Sequence, residues 1–481
     1  MSQHLRGISR EQVALLPTAV EDYVGADSLP RMIDAFVKGL DLRQLGFVRS
    51  EPAHTGRPGY AADDLLKLYL YGYWNKIRSS RRLEAECKRN LELMGLLGQL
   101  APDHKSIAEF RKINSQAFQQ ACRQFTGFLR DASLIGGEAP VVAIDGSRFK
   151  AHAAKSSLVN AEQLAKERQR TQRRVAEYLA QLDQTDGEKA GQAEPDAAQI
   201  RKVLEGLKKR TAVLETAKAE LDQGKTRVGL TDADSVLLTK KGTTVVGYNV
   251  QQAVDSQHKL IVAHEVTTER NDHASLQSMP TQAKDALQAE SLTVTCDTGY
   301  ANGAQAKACE KQNITPVLPM PEVSNTRHAE GYTKAQFTYD KASDSWRCPA
   351  GALLARYKRD HAKKTDYYHT KACASCTQKA QCTKAEQRSI ARSWYAEAME
   401  RADARAKANP ALMRLRSGTA EHPFGNLKAM LEGGFVVRTL PKVKGEMALG
   451  VLTYNLKRVL AILGFEKLLQ KLQTTKALAV T

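Results

Sequence analysis

Residues 141–150 read Val141-Val142-Ala143-Ile144-Asp145-Gly146-Ser147-Arg148-Phe149-Lys150. A short apolar run, β-branched in part, meets Asp-Gly, which predicts a buried strand whose last residue carries a carboxylate out of the sheet. A carboxylate beside an apolar strand is costly to bury without a partner, and a metal ion is one such partner. An ordinary turn is the other interpretation, because Asp-Gly commonly ends a strand.

The composition indicates a large basic protein. The chain has 481 residues, of which 42% are hydrophobic, with 71 Lys and Arg against 53 Asp and Glu and a net charge of +18. Such an excess favours a polyanionic partner, nucleic acid first, with an anionic membrane surface as the competing interpretation. Aromatic residues are only 6% of the chain, which argues against a single-strand binder that acts by stacking.

The chain shows no sign of a membrane span or of export. No apolar run approaches the roughly 20 residues that a span needs, and residues 1–10 lack the apolar core of a signal peptide. We therefore expect a cytoplasmic protein whose eight cysteines are reduced thiols or metal ligands.

Residues 1–135 are predicted to form a helical N-terminal domain. Apolar spacing indicates helices over 63–77, 83–97, 106–111 and 116–134. Two helices joined by a tight turn near Asn114 suggest a helix-turn-helix-like module, and a helical bundle with a solvated basic face is the alternative. The cluster of Arg78, Arg81 and Arg82, interleaved with serines, is the candidate for phosphate contact.

Residues 136–321 are predicted to form a mixed sheet flanked by helices, interrupted by a polar helical hairpin at 155–230. The two arms of the hairpin show leucine-rich seams at three-and-four spacing. Its role is open between assembly and DNA handling. Strands at 244–255 and 260–266 should pair as an antiparallel hairpin, and the remaining segments follow as helix 274–287, strand 292–297, helix 302–311 and strand 315–318.

A second apolar strand also ends in an aspartate, Asp297. If the two strands are adjacent and parallel, Asp145 and Asp297 meet at one edge of the sheet. Paired carboxylates without His or Cys suit Mg²⁺ or Mn²⁺. Four other aspartates are rival ligands, and they are interpreted as belonging to a turn, a hairpin end and a helix cap: Asp232, Asp234, Asp255 and Asp272.

A cysteine group lies in residues 322–409, which are predicted to be a loop-rich insertion. Cys348, Cys373, Cys376 and Cys382 are spaced C-x24-C-x2-C-x5-C. This pattern suggests a structural Zn²⁺ site, and four reduced cysteines without a metal are the alternative.

Residues 410–465 are predicted to contain an acidic helix that begins at Asn409-Pro410. Glu421 and Lys428 are two turns apart and share a face if the helix continues through Pro423, where a kink is expected. A third carboxylate here would complete a divalent-metal site, while a solvated glutamate is the plainer interpretation. An apolar helix at 446–463 and a tail at 466–481 follow.

An ordered series of motifs resembles the bacterial insertion-sequence transposases of the DDE type, and most closely the insertion sequence eleven-eighty-two group. The series spans about residues 5–465 and consists of Gly56-Arg57-Pro58-Gly59-Tyr60, Ile77-Arg78-Ser79-Ser80-Arg81-Arg82-Leu83-Glu84, Ala143-Ile144-Asp145-Gly146-Ser147, Val246-Gly247-Tyr248-Asn249-Val250-Gln251, Asp297-Thr298-Gly299-Tyr300 and Glu421-His422-Pro423-Phe424-Gly425.

The resemblance implies a ribonuclease-H-like catalytic domain with the triad Asp145, Asp297 and Glu421. It also implies two Mg²⁺ or Mn²⁺ ions and double-stranded DNA partners, namely terminal inverted repeats and target DNA, handled by a homo-oligomer on paired ends. Lys428 matches the basic residue that contacts the DNA end in relatives. Ser417 stands where relatives carry an arginine, with Arg414 and Arg416 nearby.

The sequence leaves two other functions open. One is a metal-dependent DNA nuclease without strand transfer, and the other is a non-catalytic DNA-binding protein derived from a transposase. All three acidic positions are filled, which argues against a decayed enzyme.

Overall fold

The computed structural model of the protein describes residues 19–51, 59–186, 194–240, 242–321 and 331–474. Residues 56–58 of the first motif in the series and residues 475–481 of the predicted tail lie outside these ranges. Besides the elements named below, the described part contains 3₁₀ helices at Val20–Tyr23, Lys155–Ser157, Thr298–Tyr300, Lys334–Gln336 and Lys371–Ser375.

The N-terminal region is helical, as predicted. One helix was expected over 83–97, but two are present, because Asn90 starts a new one by accepting hydrogen bonds from the backbone N–H groups of Glu92 and Leu93. The six α-helices are α1 (Leu29–Lys38), α2 (Ala62–Trp74), α3 (Ser80–Cys87), α4 (Leu91–Leu96), α5 (His104–Ile113) and α6 (Ser115–Asp131).

The central six-stranded sheet is mixed. The described elements between residues 141 and 317 are, in chain order, β1 (Val141–Lys150), β2 (Leu158–Val159), α7 (Ala161–Asp186), α8 (Glu194–Asp222), β3 (Val228–Gly229), β4 (Val236–Lys240), β5 (Thr243–Asp255), β6 (Ile261–Thr267), α9 (Ser275–Leu287), β7 (Leu292–Thr295), α10 (Gly303–Lys311) and β8 (Ile314–Val317). All of these strands except β2 and β3 belong to the central sheet. β4 and β6 both pair with β5, β5 pairs antiparallel with β1, and β1, β7 and β8 run parallel.

The first strand does not stop at Asp145, contrary to the prediction. β1 continues to Lys150 because the long strand β5 pairs with it throughout, from Val142 opposite Asp255 to Lys150 opposite Gly247. The Asp-Gly pair is therefore inside a strand, and the turn interpretation is wrong.

Two long helices, α7 and α8, form the predicted hairpin between β1 and the rest of the sheet. The short strands β2 and β3 pair at its base. A small separate core holds it together: Val159, Leu164, Leu214, Ala217, Val228 and Leu230. Arg168, one of the arginines of the first arm, pairs with Glu215 of the second arm at 2.6 Å.

The insertion at 322–409 contains a second sheet that the sequence did not predict. The described elements are β9 (Thr338–Asp340), β10 (Ser345–Arg347), β11 (Leu353–Asp360), β12 (Thr365–His369), α11 (Lys379–Cys382), β13 (Ile390–Ser393) and α12 (Ala396–Ala408). The five strands are antiparallel, in the order β13-β12-β11-β10-β9. β9 and β10 have only three residues each and half of the residues of β11 are charged, which hides the apolar alternation of these strands.

Three helices complete the described chain: α13 (Pro410–Met430), α14 (Leu440–Leu463) and α15 (Phe465–Thr474). α13 runs through Pro423 without interruption. α14 is buried along most of its length and packs against α6, α2 and β6. The helical N-terminal region and the central sheet consequently share one hydrophobic core.

No single helix in the described ranges is long and apolar enough to cross a membrane. α14 and α15 pass such a test only together, and they meet at a bend of 116°.

Candidate active site

Asp145 and Asp297 lie on neighbouring parallel segments. Val141 is opposite Thr293 and Ala143 is opposite Thr295. Asp145 and Asp297 each follow the last of these pairs by two residues, so they reach the same level of the sheet and, because side chains alternate, the same face. Both side chains are partly exposed. The two strands are therefore adjacent and parallel, which is the condition under which the two aspartates are expected to meet at one edge of the sheet.

Backbone N–H groups orient both carboxylates. Asp145 Oδ1 accepts a hydrogen bond from the N–H of Gly146 at 2.8 Å. Asp297 begins the 3₁₀ turn Thr298–Tyr300, and its Oδ1 accepts from the N–H of Gly299 at 2.8 Å. Asp297 is thus held at the point where β7 leaves the sheet.

The helix α13 packs on the same face of the sheet as Asp145. Phe149 lies four residues after Asp145 in β1, on the same face, and its ring centroid is 6.3 Å from that of Phe424 in α13. Glu421 lies on the exposed flank of α13, where its Oε1 accepts from the hydroxyl of Ser417 at 2.9 Å. Ser417, which replaces the family's arginine, is thus a direct neighbour of the glutamate.

Whether a metal ion could bind at this edge of the sheet depends on which donor atoms lie there. In the described ranges, no group of three or more His, Cys, Asp and Glu side chains is arranged to hold a metal ion. The structure therefore brings the segments of Asp145 and Asp297 together, but does not gather Glu421 with them into such a group. Two carboxylates on one sheet edge are nevertheless the oxygen donors that Mg²⁺ and Mn²⁺ prefer.

The charge of Arg416 in α13 acts on Cys296, the residue before Asp297. Burial raises the pKa of the Cys296 thiol well above its usual value, and among the charges that act on this thiol Asp297 and Asp145 raise its pKa while Arg416 lowers it. One arginine of α13 therefore acts electrostatically where the two aspartates lie.

Lys428 shares a face of α13 with Glu421, as predicted, because the helix is continuous between them. Three of the six basic residues predicted to contact DNA, Arg414, Arg416 and Lys428, are thus on one helix, and Arg414 and Lys428 are exposed.

A fourth carboxylate, Asp272, lies beside the pair, and the sequence interpretation missed its role. Its side chain caps no helix. Instead its Oδ1 accepts from the amides of Asn249 at 2.8 Å and Gln251 at 2.5 Å. A Cβ on Gly146 would lie 2.5 Å from the same oxygen. The sequence signal for this role is the pair Asn249 and Gln251, which are two positions apart in an apolar strand. Buried side-chain amides need hydrogen-bond partners, and Asp272 supplies one.

Tyr300 links this carboxylate to the turn after Asp297. Its hydroxyl donates to Oε1 of Gln251, whose amide nitrogen donates to Asp272. Burial raises the pKa of Tyr300 well above its usual value, and the nearby carboxylates, Asp272 first, raise it further. The phenol therefore stays protonated and acts as a donor.

The remaining rival aspartates have structural roles. Asp232 accepts from the hydroxyl of Tyr248 and the N–H of Thr439, and Asp234 accepts from the N–H of Leu440. They hold the start of α14 and are more than a local turn. Asp255 ends a hairpin, as predicted.

Arg78 is not available for phosphate contact, contrary to the prediction. It is 7% exposed, donates to the carbonyl of Gly434 at 2.7 Å and pairs with Glu432 and the fully buried Glu446. Arg81 and Arg82 are exposed. The structure favours the helical-bundle alternative over the helix-turn-helix-like module, because the second helix of the pair, α6, packs along α14.

The four clustered cysteines line one small cavity in the insertion, beside Tyr332 and Phe337. All four are partly exposed free thiols. Burial raises the pKa of Cys382, and the other three thiols raise it further. The folded insertion thus places around one cavity cysteines that are up to 34 positions apart in the printed sequence. As described, their thiols are not arranged as a group that could hold a metal ion.

Two family models match the chain. Residues 19–113 match a transposase domain, and residues 347–460 match a transposase DDE domain. No curated protein gives a significant match. A structure of the piggyBac transposase synaptic complex with hairpin DNA aligns at 9% identity and a TM-score of 0.31, covering 93% of this chain and 78% of that chain, which is too weak a similarity to bear on fold or function. The two matches, near the two ends of the chain, support a transposase of the DDE type, an enzyme of DNA cleavage and strand transfer.

Proposed function

We propose that the protein cleaves DNA at the ends of an insertion sequence and joins those ends to target DNA, with Asp145, Asp297 and Glu421 as the catalytic carboxylates. The observation that supports this most directly is the level placement of Asp145 and Asp297 on parallel neighbours. The packing of α13, which carries Glu421, on the same face of the sheet adds to it.

The strand arrangement supports a ribonuclease-H-like core. β6, β5 and β1 form an antiparallel set, and β7 and β8 extend β1 in parallel. This order is the one expected of that fold, with the first aspartate on the central strand. Assignment to the insertion sequence eleven-eighty-two group rests on the motif series and belongs to the same proposal.

The three carboxylates would hold two Mg²⁺ or Mn²⁺ ions, which when bound activate the attacking oxygen and stabilise the leaving oxygen of a phosphodiester. The protein's own residues orient the reaction. Asp145 and Asp297 are fixed by backbone N–H groups. Arg414, Arg416 and Lys428 would bind phosphates near the cut, and Arg81 and Arg82 would bind them further away.

The chemistry would proceed in two displacements at phosphorus. Water first breaks the phosphodiester at the element end and leaves a free 3′-hydroxyl. That hydroxyl then attacks a target phosphodiester, so one P–O bond forms as another breaks. We expect a homo-oligomer to hold the paired ends and inverted repeats during both steps.

The first prediction tests the carboxylates. Asp145→Asn and Asp297→Asn should each reduce Mg²⁺-dependent cleavage of a labelled element end by at least about 100-fold, because an amide cannot replace a charged ligand. The exposed Asp285 of α9 gives the matched control, Asp285→Asn. Full cleavage by Asp145→Asn would overturn the triad.

The same assay separates the alternatives. Wild-type protein should yield both cut ends and products joined to a target plasmid. Cut ends without joined products would indicate a nuclease instead, and binding without either product in Mg²⁺ would indicate a non-catalytic DNA-binding protein.

We also propose that Cys348, Cys373, Cys376 and Cys382 bind one structural Zn²⁺. Support comes from the cavity that the four thiols line together and from the suitability of four thiolates for zinc. Protein purified without chelator should contain about one zinc per chain by mass spectrometry, and Cys373→Ser with Cys376→Ser should remove it. Cys122→Ala, a buried thiol of α6, should not. Absence of zinc from the wild-type protein would contradict the proposal.

A further inference from the structure

The insertion sheet β9–β13 has two unlike faces. Its inner face is packed: Phe337, Trp346, Leu354, Tyr368 and Ile390 form a core there. Three arginines of this face have acidic partners. Arg356 pairs with Asp344, Arg359 with Asp366 and Arg392 with Glu400.

The outer face, defined by Leu353, Tyr357, Lys358, Tyr367 and His369, is solvent-accessible. Tyr367 and His369 alternate along β12 with the buried Tyr368, so they point to the opposite side of the sheet. Tyr357 is 50% exposed and Leu353 is 52% exposed. This face therefore presents aromatic rings, a leucine and a lysine, and Leu353 and Tyr357 remain about half exposed among the residues that the structure describes.

Three rings form a continuous row on this outer face. The Tyr357 ring centroid is 4.0 Å from that of His369, with 30° between the planes, and 6.5 Å from that of Tyr367. The Lys358 ammonium lies 5.8 Å from the Tyr367 centroid. A register shift between Arg356 and Lys358 places Tyr357 in this row. Flat rings beside an ammonium are the arrangement on which unpaired bases stack.

The charge of the segment matches the same ligand. Residues 331–395 contain 13 Lys and Arg against five Asp and Glu. The same 65 residues hold nine Phe, Trp and Tyr, although aromatic residues are only 6% of the whole chain. Three of these nine rings, Phe337, Trp346 and Tyr368, belong to the inner core. The outer face itself presents two of them, Tyr357 and Tyr367, together with His369 and the charge of Lys358.

We propose that the outer face binds single-stranded DNA, with bases stacked on Tyr357, His369 and Tyr367 and the backbone neutralised by Lys358. Duplex DNA is a poorer fit, because its bases are already stacked on one another and their faces are not available to the row of rings. The choice of DNA rests on the proposed transposase function, and the stacking itself rests on the geometry of the face.

Binding of the full-length chain to a fluorescein-labelled oligothymidylate of about 16 nucleotides, followed by anisotropy, tests the inference. Tyr357→Ala and Tyr367→Ala should each weaken binding at least about 5-fold. Tyr357→Phe keeps the ring and should bind like the wild type. Tyr23→Ala, at a tyrosine that is 57% exposed in the N-terminal region, should have no effect.

The triple variant Tyr357→Ala, Tyr367→Ala, His369→Ala gives the decisive measurement. If it keeps the wild-type circular dichroism spectrum and binds the oligonucleotide as tightly as the wild type, the inference is overturned while the proposed function stands. If Asp145→Asn still cleaves element ends but the triple variant loses oligonucleotide binding, the catalytic proposal fails and the stacking surface stands.

Discussion

Asp272 connects the segment before α9 to two strands of the central sheet. Its position just before α9 is typical of a helix cap. Its carboxylate instead binds two amides of β5 and lies against Gly146 of β1. A side chain on Gly146 would occupy the space of that carboxylate. Gly146 is thus needed for a close approach within a strand, and the turn that Asp-Gly suggests is absent.

Removal of the Asp272 carboxylate should destabilise the protein. Asn249 is 5% exposed and Gln251 is fully buried, so Asp272→Ala leaves two buried amides without their acceptor, at about 1–3 kcal/mol each. Asp272→Asn keeps an acceptor oxygen and should cost less. Urea unfolding monitored by circular dichroism measures both, and equal stability of Asp272→Ala and the wild type would contradict this role.

At the scale of elements, apolar periodicity predicted the strands and helices that have long or strongly patterned runs. Helix α9, the β5–β6 hairpin and the α7–α8 pair all follow their sequence patterns. The second sheet was not predicted from the sequence because β9 and β10 have three residues each and β11 is exposed at most positions. The position of Glu421 relative to the two aspartates depends on how α13 packs, which no local pattern encodes.

The contact between α14 and α6 gives a prediction for a pair of glycines. A Cβ on Gly445 of α14 would lie 2.5 Å from the Cα of Ser115, a backbone atom that cannot move aside. Gly445→Ala should therefore lower stability by about 1–3 kcal/mol. Gly418 of α13 has no atom within 4 Å of the same position, so Gly418→Ala should raise stability by about 0.5–1 kcal/mol. Thermal unfolding of the two variants should shift in opposite directions.

At the scale of the whole molecule, the net charge of +18 favours a polyanionic partner, but it does not show which basic side chains are accessible to that partner. Arg78 is buried and pairs with Glu432 and Glu446, and Arg168 pairs with Glu215 at the surface of the helical hairpin. Such pairs depend on tertiary contacts between distant residues and are invisible in the composition.

Salt dependence of duplex binding should identify a cation that contacts phosphate. If Lys428 binds one phosphate, Lys428→Ala should reduce the slope of log affinity against log salt by about 0.9. Lys467→Ala, an exposed lysine of α15, should leave the slope unchanged. Equal slopes for the two variants and the wild type would remove Lys428 from the DNA contact.

The placement of α14 has a consequence for biosynthesis. This helix completes the packing of the N-terminal helices and of β6, yet the ribosome makes it after every strand of both sheets. The nascent chain therefore exposes a large apolar surface until α14 emerges, and we expect it to need chaperone protection during translation. A messenger RNA truncated before the codons of α14 should yield aggregated protein without partial activity. We therefore expect active protein only from chains that are long enough to include α14.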